Sequence, residues 1–328
     1  MKTINVGIIG TGRHGTRYAN HIRHDVPGLI LTAVSRRSKA GLQQAKEWQV
    51  RYHSNWHDLI KDPDVDAIIA VTPPNINSPI ARSCAALGKP LLIEKPLAID
   101  TETARQMLQL FDHAAIPLTV AQTLRFNTTI LALQEELHRI GTLHAFSANQ
   151  RLEEILHPWL DVPEIAGGGV ILHSAVHLFD ALRYITGKEI LRVRASMFSR
   201  YTEQLEDLFT AQVEMENHII GTVDAGKVGP ARTGRFEFVG SDGQLQGDQV
   251  HGTMEFIHQN LITPLPPPKP ISTLIPLLTA WHKHLIGNGP NPVPGEDGLE
   301  AVRICEACRH SAQIDDWVNL GKASDETL

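Results

Sequence analysis

Short apolar runs alternate with stretches of helical periodicity over residues 3–120. The runs lie at Ile4–Ile9, 29–34, 67–71, 90–93 and 117–120. The intervening stretches place apolar residues at helical spacing between recognisable end signals, and they lie at 15–24, 39–49, 78–87 and 101–113. Strands that alternate with helices predict a parallel sheet covered on both faces. This part of the chain is therefore predicted to be an α/β domain.

The pattern changes after Gln122, where longer strand-like segments dominate. These segments lie at 191–199, 208–216, 219–225 and 235–239, and the turn signal Ser241-Asp242-Gly243 follows the last of them. They predict an antiparallel or mixed sheet in a second domain. We expect domains at 1–122 and 123–328, with the last helix, about 296–313, packing back on the first domain.

One low-complexity segment, TPLPPPKP, occupies residues 263–270. Its prolines exclude a central strand and a helix interior, so we expect an exposed, extended connector. A site for a proline-binding partner is the alternative interpretation.

Composition narrows the class of protein. The 328 residues are 42% apolar and 20% charged, as expected for a two-domain globular protein. The net charge is -6 and like charges form no block, so we expect small-molecule partners rather than nucleic acid or a membrane. We see no signal-peptide pattern and no apolar run of the roughly 18 to 20 residues that span a bilayer. With three cysteines, these features predict a cytoplasmic protein.

A glycine-rich turn follows the first predicted strand and opens the first predicted helix. Its residues are Gly10, Thr11, Gly12, Arg13, His14 and Gly15. In such a turn the first glycine permits the sharp bend, the second admits a pyrophosphate, and the third lets helix and strand pack closely. The amides at the helix start then meet the phosphates. The turn predicts a dinucleotide-binding Rossmann domain.

The end of the second predicted strand bears on the choice of cofactor. A dinucleotide without a 2′-phosphate normally meets an acidic residue there, but this chain has Ser35, Arg36 and Arg37. A serine hydroxyl can donate to a 2′-phosphate, and a guanidinium can pair with it. We therefore expect NADP(H), with NAD(H) as the alternative.

Three further motifs lie along the chain. A Thr72-Pro73 turn precedes GKPLLIEKP at 88–96, QTLRFN occupies 122–127, and a GGG triplet at 167–169 leads to Asp180. In this order the motifs resemble the glucose-fructose oxidoreductase, inositol dehydrogenase and rhizopine-catabolism (Gfo/Idh/MocA) family, over nearly the whole chain. The resemblance implies a Rossmann domain followed by an α+β domain with a large, open, mainly antiparallel sheet. It also implies hydride transfer between nicotinamide and a hydroxyl or carbonyl carbon of a sugar, polyol or related cyclic compound.

The resemblance also assigns roles to individual residues. It makes Lys95 the cationic donor at the reacting oxygen and His177 the proton carrier, two groups that hydride transfer requires. It places further residues in the cofactor pocket, namely Thr72, Pro73, Asn75, Asn77, Glu94, Lys95 and Gln122. Arg125, Trp159 and Asp180 are candidates for substrate contact, with structural roles as the alternative. The exposed sheet face implies a homodimer or homotetramer assembled through the C-terminal sheet.

The sequence departs from the family pattern at three positions. His173 stands where the family usually has aspartate, Ala175 where glycine is common, and Asn77 where many relatives carry histidine. Four residues make about one helical turn, so His173 and His177 should share a face. We hypothesise that His173 takes over orientation or substrate hydrogen bonding as a third catalytic residue, with His177 working largely as the neutral imidazole.

Two histidine and cysteine patterns match metal-ligand spacings. His173 and His177, with Asp180 a turn later, match zinc spacing, but the family resemblance gives His177 a metal-free role. Cys305 and Cys308 lie in a segment with helical apolar spacing, 298–312, and no second cysteine pair completes a site. We expect no metal and expect both thiols to pack in the core.

Two other functions fit the same motifs. One is a redox-neutral glycosidase that keeps its dinucleotide bound, and the other is a non-catalytic NADP(H) sensor. We favour an NADP-dependent oxidoreductase because Lys95 and His177 are both present.

Overall fold

The computed structural model describes residues 2–154 and 157–321, which form two compact units. The first unit takes in the described residues up to 123 together with 272–299, and the second takes in 124–271 together with those from 300 onward. The predicted boundary at residue 122 assigns residues 272–299 to the second domain. Residues 272–299 belong to the first unit because helix Leu274–Leu285 packs against helix Arg13–His24 and His282 Nε2 bonds the Lys2 carbonyl at 2.9 Å.

A six-stranded parallel sheet forms the first unit, in the order β3-β2-β1-β4-β5-β6. Its strands are β1 (Ile4–Ile9), β2 (Leu29–Ser35), β3 (Arg51–His53), β4 (Ala67–Ala70), β5 (Leu91–Glu94) and β6 (Leu118–Ala121). Its first five helices are α1 (Arg13–His24), α2 (Ala40–Trp48), α3 (Trp56–Lys61), α4 (Asn77–Ala86) and α5 (Thr101–Ala114). The predicted α/β domain is confirmed. Strand β3 and helix α3 were not predicted, because they are too short to show a period.

The order of the strands reverses between β1 and β4. Strands β1 and β4 are neighbours although two strands separate them in sequence. In a sheet of this kind, ligands bind in the crevice beyond the carboxyl ends of the strands at such a reversal. The glycine turn follows β1 directly, so it stands at this edge.

A nine-stranded sheet forms the second unit, in the order β14-β13-β12-β11-β7-β10-β9-β8-β15. Its strands are β7 (Leu143–Glu153), β8 (Ile190–Phe198), β9 (Leu208–Met215), β10 (Ile219–Gly229), β11 (Thr233–Gly240), β12 (Gln244–Asp248), β13 (Thr253–His258), β14 (Leu261–Pro264) and β15 (Val318–Asn319). Among the described strands of this sheet, only the β7 and β10 pair is parallel. The predicted mainly antiparallel sheet is confirmed.

Helices cover one face of this second sheet. The helices of this unit are α6 (Thr128–Glu136), α7 (Pro163–Ala166), α8 (Val176–Thr186) and most of α10 (Gly295–Ile314). Helix α9 (Leu274–Leu285) and residues 295–299 of α10 belong to the first unit. Phe146 and Ala148 of β7 are buried on the covered face, whereas Ser147 and Asn149 alternate with them on the open face. This alternation is the period of a half-buried strand.

Two sequence expectations concern exposed or membrane-like segments. The first two residues of the proline-rich stretch 263–270 end the edge strand β14, and its other residues form no regular element, as predicted for an extended connector. Contrary to expectation, helical stretch Pro163–Thr186 is long and apolar enough to cross a membrane by length and composition. In the structure, 78% of its most apolar 18 residues are buried inside the protein, so this stretch is a core helix of the second unit.

Candidate functional site

The glycine turn between β1 and α1 has the geometry that its sequence predicts. Gly10 has φ +92°, and a Cβ there would lie 2.2 Å from the Val71 carbonyl oxygen. A Cβ on Gly15 would lie 2.0 Å from the Gly10 carbonyl oxygen. A Cβ on Gly12, by contrast, would meet nothing within 4 Å. The turn thus forms a tight backbone cradle with one open side, where the first amides of α1 lack helical acceptors and are free for phosphate.

A cavity of about 410 Å³ opens beside this cradle at the ends of β1, β2 and β4. Its lining includes Gly10, Ser35, Arg36, Arg37, Trp56 and Pro73. Arg36 donates to the Thr11 carbonyl at 2.9 Å and to Gln44 at 3.1 Å, so its guanidinium is held against the glycine turn. Arg37 is exposed and pairs with no described residue. The cavity has the position and the cations expected for the adenosine half of a dinucleotide.

Glu94, the last residue of β5, is a buried carboxylate with donors from α1. His14 Nε2 lies 2.7 Å from Glu94 Oε1, and the Tyr18 hydroxyl donates to the same oxygen at 2.6 Å. Burial raises the pKa of Glu94, but the bonds from His14 and Tyr18 outweigh it and leave the pKa below its ordinary value. Burial and the Glu94 charge together raise the pKa of Tyr18 well above its ordinary value. Glu94 is therefore an anion at neutral pH, joined to the glycine turn.

Lys95 follows β5 directly and is half-buried. Its backbone N–H donates to Glu94 Oε2 at 3.2 Å, and the Lys95–Pro96 peptide is cis. Asn77, buried at the start of α4, donates to the carbonyls of Pro96 and Leu97 at 3.0 and 3.1 Å and accepts from Thr72 at 3.0 Å. Asn77 thus holds the backbone that follows Lys95, a contact the sequence did not reveal.

Gln122 follows β6, the strand next to β5. Glu94 pairs with Ala121 across these strands, so Lys95 and Gln122 leave neighbouring strand ends. Gln122 is 1% exposed, and its Oε1 has no hydrogen-bond partner among the described residues. A carboxamide donor would satisfy this atom. The cradle, the cavity and Gln122 therefore fit a nicotinamide dinucleotide, whereas Arg13 and Asn75 are exposed and bond no described residue.

The buried Glu94 carboxylate predicts a pH-dependent stability. Because its pKa is lowered in the folded protein, its contribution is present above the unfolded value of about 4.3 and is lost as pH falls through the folded value. We expect Glu94→Gln to lower the free energy of unfolding by about 1.5–3 kcal/mol near neutral pH, and by less near pH ~3. Urea unfolding at both pH values measures this. Glu47→Gln on the exposed face of α2 is the control, and an equal loss at both pH values would contradict the prediction.

The second unit carries His173 and His177 on its central helix. Residues Ile171–Ala175 form a π-helical turn, and α8 continues from Val176. His173 therefore lies in the π-helical turn and His177 in the α-helix that follows it. Single π-helical turns within α-helices are frequent at functional sites. Glu206 Oε1 accepts the N–H groups of Gly169 and Ile171 at 3.0 and 3.1 Å. Glu206 thus caps the start of this helix, a role that no sequence motif indicated.

His173 is 9% exposed, and its contacts orient its ring. Its Nε2 lies 3.0 Å from the Ala166 carbonyl oxygen, which requires the proton on that nitrogen. The Trp159 ring meets the His173 ring edge-on at a centroid distance of 5.7 Å. His177 is half-buried near the start of α8, and Ala175 is buried in the π-helical turn. His173 and Trp159 thus form one packed pair, and the catalytic role of His173 remains a prediction.

Arg125 and Asp180 bind each other. Arg125 donates from Nε and Nη2 to the two Asp180 oxygens at 2.8 and 2.6 Å, and its guanidinium lies 5.2 Å from the Tyr184 ring. Asp180 is 0% exposed. This bidentate pair fixes α8 to the turn that precedes α6. The structure gives both residues a bracing role, and the substrate contact predicted for them remains a prediction.

The histidine and cysteine residues whose spacing matches that of metal ligands have other surroundings in the structure. Among residues 2–154 and 157–321, no group of three or more His, Cys, Asp or Glu side chains is placed to hold a metal ion. Cys305 and Cys308 are both 0% exposed on α10, so the predicted core packing of the thiols is confirmed. Burial raises the pKa of the Cys308 thiol well above its ordinary value, which keeps it protonated and unreactive.

Comparison with known proteins adds independent evidence. Residues 4–122 match the oxidoreductase family with an NAD-binding Rossmann fold, GFO_IDH_MocA, and residues 133–246 match a GFO/IDH/MocA C-terminal domain. Myo-inositol 2-dehydrogenase of Thermotoga maritima is 28% identical over 260 residues, covering 76% of this chain and 77% of that protein. A 1,5-anhydro-D-fructose reductase of Ensifer adhaerens is 29% identical over 308 residues, covering 89% and 91%.

Solved structures share the fold over nearly the whole chain. Levoglucosan dehydrogenase in complex with NADH and levoglucosan has a TM-score of 0.89 at 20% identity, covering 98% of this chain and 100% of that chain. A probable dehydrogenase of Thermotoga maritima has a TM-score of 0.84 at 24% identity, covering 97% and 99%. These similarities support the two-unit architecture.

Proposed function

Because the chain belongs to the Gfo/Idh/MocA family of oxidoreductases with an NAD-binding Rossmann fold, we propose that it transfers a hydride between NADP(H) and a substrate carbon. That carbon bears a hydroxyl or carbonyl group of a sugar, polyol or related cyclic compound. One observation carries the proposal. Lys95 follows β5 directly and lies next to the buried anion Glu94. Asn77 binds the backbone that follows Lys95, and the same unit carries the dinucleotide cradle.

Different residues of the chain bind the cofactor, stabilise the charge on the substrate oxygen and transfer its proton. When bound, the nicotinamide supplies the hydride donor or acceptor. The amides of α1 hold the phosphates, and the orphaned Gln122 Oε1 accepts from a carboxamide. The Lys95 ammonium donates to the substrate oxygen and stabilises the charge that develops there. His177 gives or takes the proton of that oxygen.

The proposed substrate class draws support from the relatives. One relative is named myo-inositol 2-dehydrogenase and another 1,5-anhydro-D-fructose reductase, and both names denote action on cyclic polyhydroxy compounds. A purified sample tests the class with a panel of sugars, cyclic polyols and acyclic polyols, read by the near-ultraviolet absorbance of reduced nicotinamide. Turnover of ring compounds is the expected result. Binding of NADP(H) without turnover of any compound in either direction would overturn the proposal.

The proposed preference for NADP(H) is supported by the end of β2. Ser35 is buried there and makes no side-chain hydrogen bond to a described residue, and Arg36 is held beside the cavity by Thr11 and Gln44. No carboxylate lines this part of the cavity among the described residues. A 2′-phosphate would meet a hydroxyl donor and two cations.

Replacement of Arg37 tests this preference directly. We expect Arg37→Ala to raise the Kd of NADP⁺ about tenfold, equivalent to about 1.4 kcal/mol, and to leave the Kd of NAD⁺ within about twofold. Calorimetric titration with both cofactors measures the two constants. Lys39→Ala, which removes an exposed cation outside the cavity lining, is the matched control. Equal weakening of both cofactors by Arg37→Ala would refute the assignment of Arg37 to the 2′-phosphate.

We also propose that the protein is a cytoplasmic homodimer or homotetramer assembled through the second sheet. Its cysteines Cys84, Cys305 and Cys308 are buried and form no disulfide among the described residues, which suits a reducing compartment. The open sheet face presents polar side chains such as Arg235, Glu237 and Gln246 around a depression of about 650 Å³. Such a polar face, which carries both positive and negative side chains, suits an isologous contact.

A further inference from the structure

Residues 200–205 donate six consecutive backbone N–H groups to two carboxylates. We call this segment the carboxylate-anchored loop. Asp207 accepts from the first three residues, Arg200, Tyr201 and Thr202, at 2.9, 2.7 and 3.2 Å. Asp161 accepts from the next three, Glu203, Gln204 and Leu205, at 2.8, 3.1 and 2.9 Å. Every amide of the loop is therefore bound to a charged acceptor, the stronger class of hydrogen bond.

Further contacts fix the loop. The hydroxyls of Ser199 and Thr202 both donate to the Leu205 carbonyl, at 2.8 and 2.6 Å. Burial raises the pKa of Asp161, but its three backbone bonds outweigh burial and leave the pKa below its ordinary value. Asp161 therefore remains an anion and an acceptor at neutral pH. A surface loop held in this way loses little conformational entropy when a ligand binds against it.

The fixed loop presents a large aromatic side chain to solvent. Tyr201 is 61% exposed, although its backbone is among the most tightly bound in the loop. Tyr201 also lines a cavity of about 50 Å³ together with His173, Gly169 and Lys227. That volume accommodates a hydroxyl group or a few water molecules, but is too small for a sugar ring. A ring whose hydroxyl entered the cavity would lie outside it, beside the Tyr201 side chain.

Asp161 joins this loop to the other aromatic residue beside His173. It ends the 3₁₀ turn Pro158–Asp161, which carries Trp159, and Trp159 packs edge-on against His173. Asp161 thus joins the turn that carries Trp159 to residues 203–205 of the loop, while Asp207 binds the Tyr201 amide. The second unit therefore carries two aromatic residues beside buried His173, namely Trp159 with its ring packed on the histidine and Tyr201 with its backbone fixed.

We propose that Tyr201 is a specificity-determining residue, packing on the C–H face of a cyclic substrate while a hydroxyl of that substrate enters the cavity beside His173. This inference rests on the proposed function, because it takes the substrate to be a polyhydroxy ring. Sugar rings have apolar C–H faces that bury area against aromatic side chains. An acyclic polyol lacks a fixed face, so the tyrosine favours cyclic over acyclic substrates.

Steady-state kinetics of matched variants test this inference. We expect Tyr201→Ala to raise KM for the ring substrate about tenfold, with kcat within about threefold and with little change for an acyclic polyol. Tyr201→Phe should restore the wild-type KM, because it keeps the ring face. Asp161→Asn should raise KM in the same direction although Tyr201 is present, since it weakens the bonds to residues 203–205 that hold the loop carrying Tyr201. Phe198→Ala is the control, because Phe198 is equally exposed at 60% and does not line the cavity.

The variants separate this inference from the proposed function. The wild-type protein alone reports on the proposed function, and absence of turnover with every ring compound would overturn both. Wild-type turnover combined with an unchanged KM in Tyr201→Ala would overturn only the role of Tyr201. An equal KM rise for cyclic and acyclic substrates would overturn it as well. Thermal melting of each variant shows whether a KM change arises from unfolding.

Discussion

Lys95→Met is expected to lower kcat by about 10³-fold or more while leaving the Kd of NADP(H) within about threefold. Methionine keeps the unbranched apolar stem and removes the ammonium group. The substrate oxygen then gains negative charge without a cation beside it, which raises the barrier of the chemical step. The glycine cradle, the Arg36 contacts and Gln122 are untouched, so cofactor binding remains.

Stopped-flow single-turnover measurements separate hydride transfer from product release in this variant. Lys46→Met, which removes an exposed cation from α2, is the matched control and should behave as wild type. Wild-type kcat in Lys95→Met would show that the cation at the reacting oxygen comes from elsewhere.

His177→Asn is expected to lower kcat by about 10²- to 10⁴-fold, the usual cost of losing a general acid or base. Asparagine keeps a polar group near the start of α8 but cannot carry a proton. The pH–rate profile should also lose the limb that belongs to the imidazole, a change that a packing defect alone does not produce.

A histidine outside the site provides the comparison for His177. His144 is exposed on β7, and His144→Asn should leave both kcat and the pH profile unchanged. The variant His173→Asp restores the residue usual in the family, and by the hypothesis for His173 it should change the pH–rate profile. Retained activity and an unchanged profile in His177→Asn would assign proton transfer to another group.

The first unit was largely predictable from sequence because its strands are buried on both faces. Strands β4 and β5 are buried at every position, so each appears in the sequence as a continuous apolar run between turn signals. The glycine turn was equally readable, since its residues are adjacent in the chain and its backbone requires glycine at set positions.

The place of residues 272–299 in the first unit was not predictable. It depends on contacts between residues far apart in sequence, such as the Thr119 hydroxyl and the Asn291 side chain at 2.8 Å across 172 positions. The central strand β7 was missed for a related reason. The burial of its side chains alternates, but its small and polar residues, including Ala145, Ser147 and Asn149, give no clear hydrophobic alternation in the sequence. Pairing with β10 and β11 places this strand in the sheet.

In the site, too, residues within a short motif could be predicted from the sequence, whereas contacts between residues far apart in the chain could not. The family motifs identified Lys95 and His177, but not the groups that hold Lys95. The bond from His14 to Glu94 joins residues 80 positions apart, and Asn77 reaches the carbonyls that follow Lys95 across 19 and 20 positions. Tyr18 was within reach of sequence reasoning, since it lies one helical turn after His14 on the buried face of α1.

Transfer of a labelled hydride tests the central claim most directly. A ring substrate found active in the panel is prepared with deuterium on the reacting carbon and incubated with NADP⁺ and the purified protein. Deuterium is expected at C4 of the nicotinamide of the NADPH formed, with a primary isotope effect on the single-turnover rate, and Lys95→Met should form the labelled NADPH about 10³-fold more slowly. NADPH that carries no deuterium, or labelled NADPH formed at the wild-type rate by Lys95→Met, would contradict it.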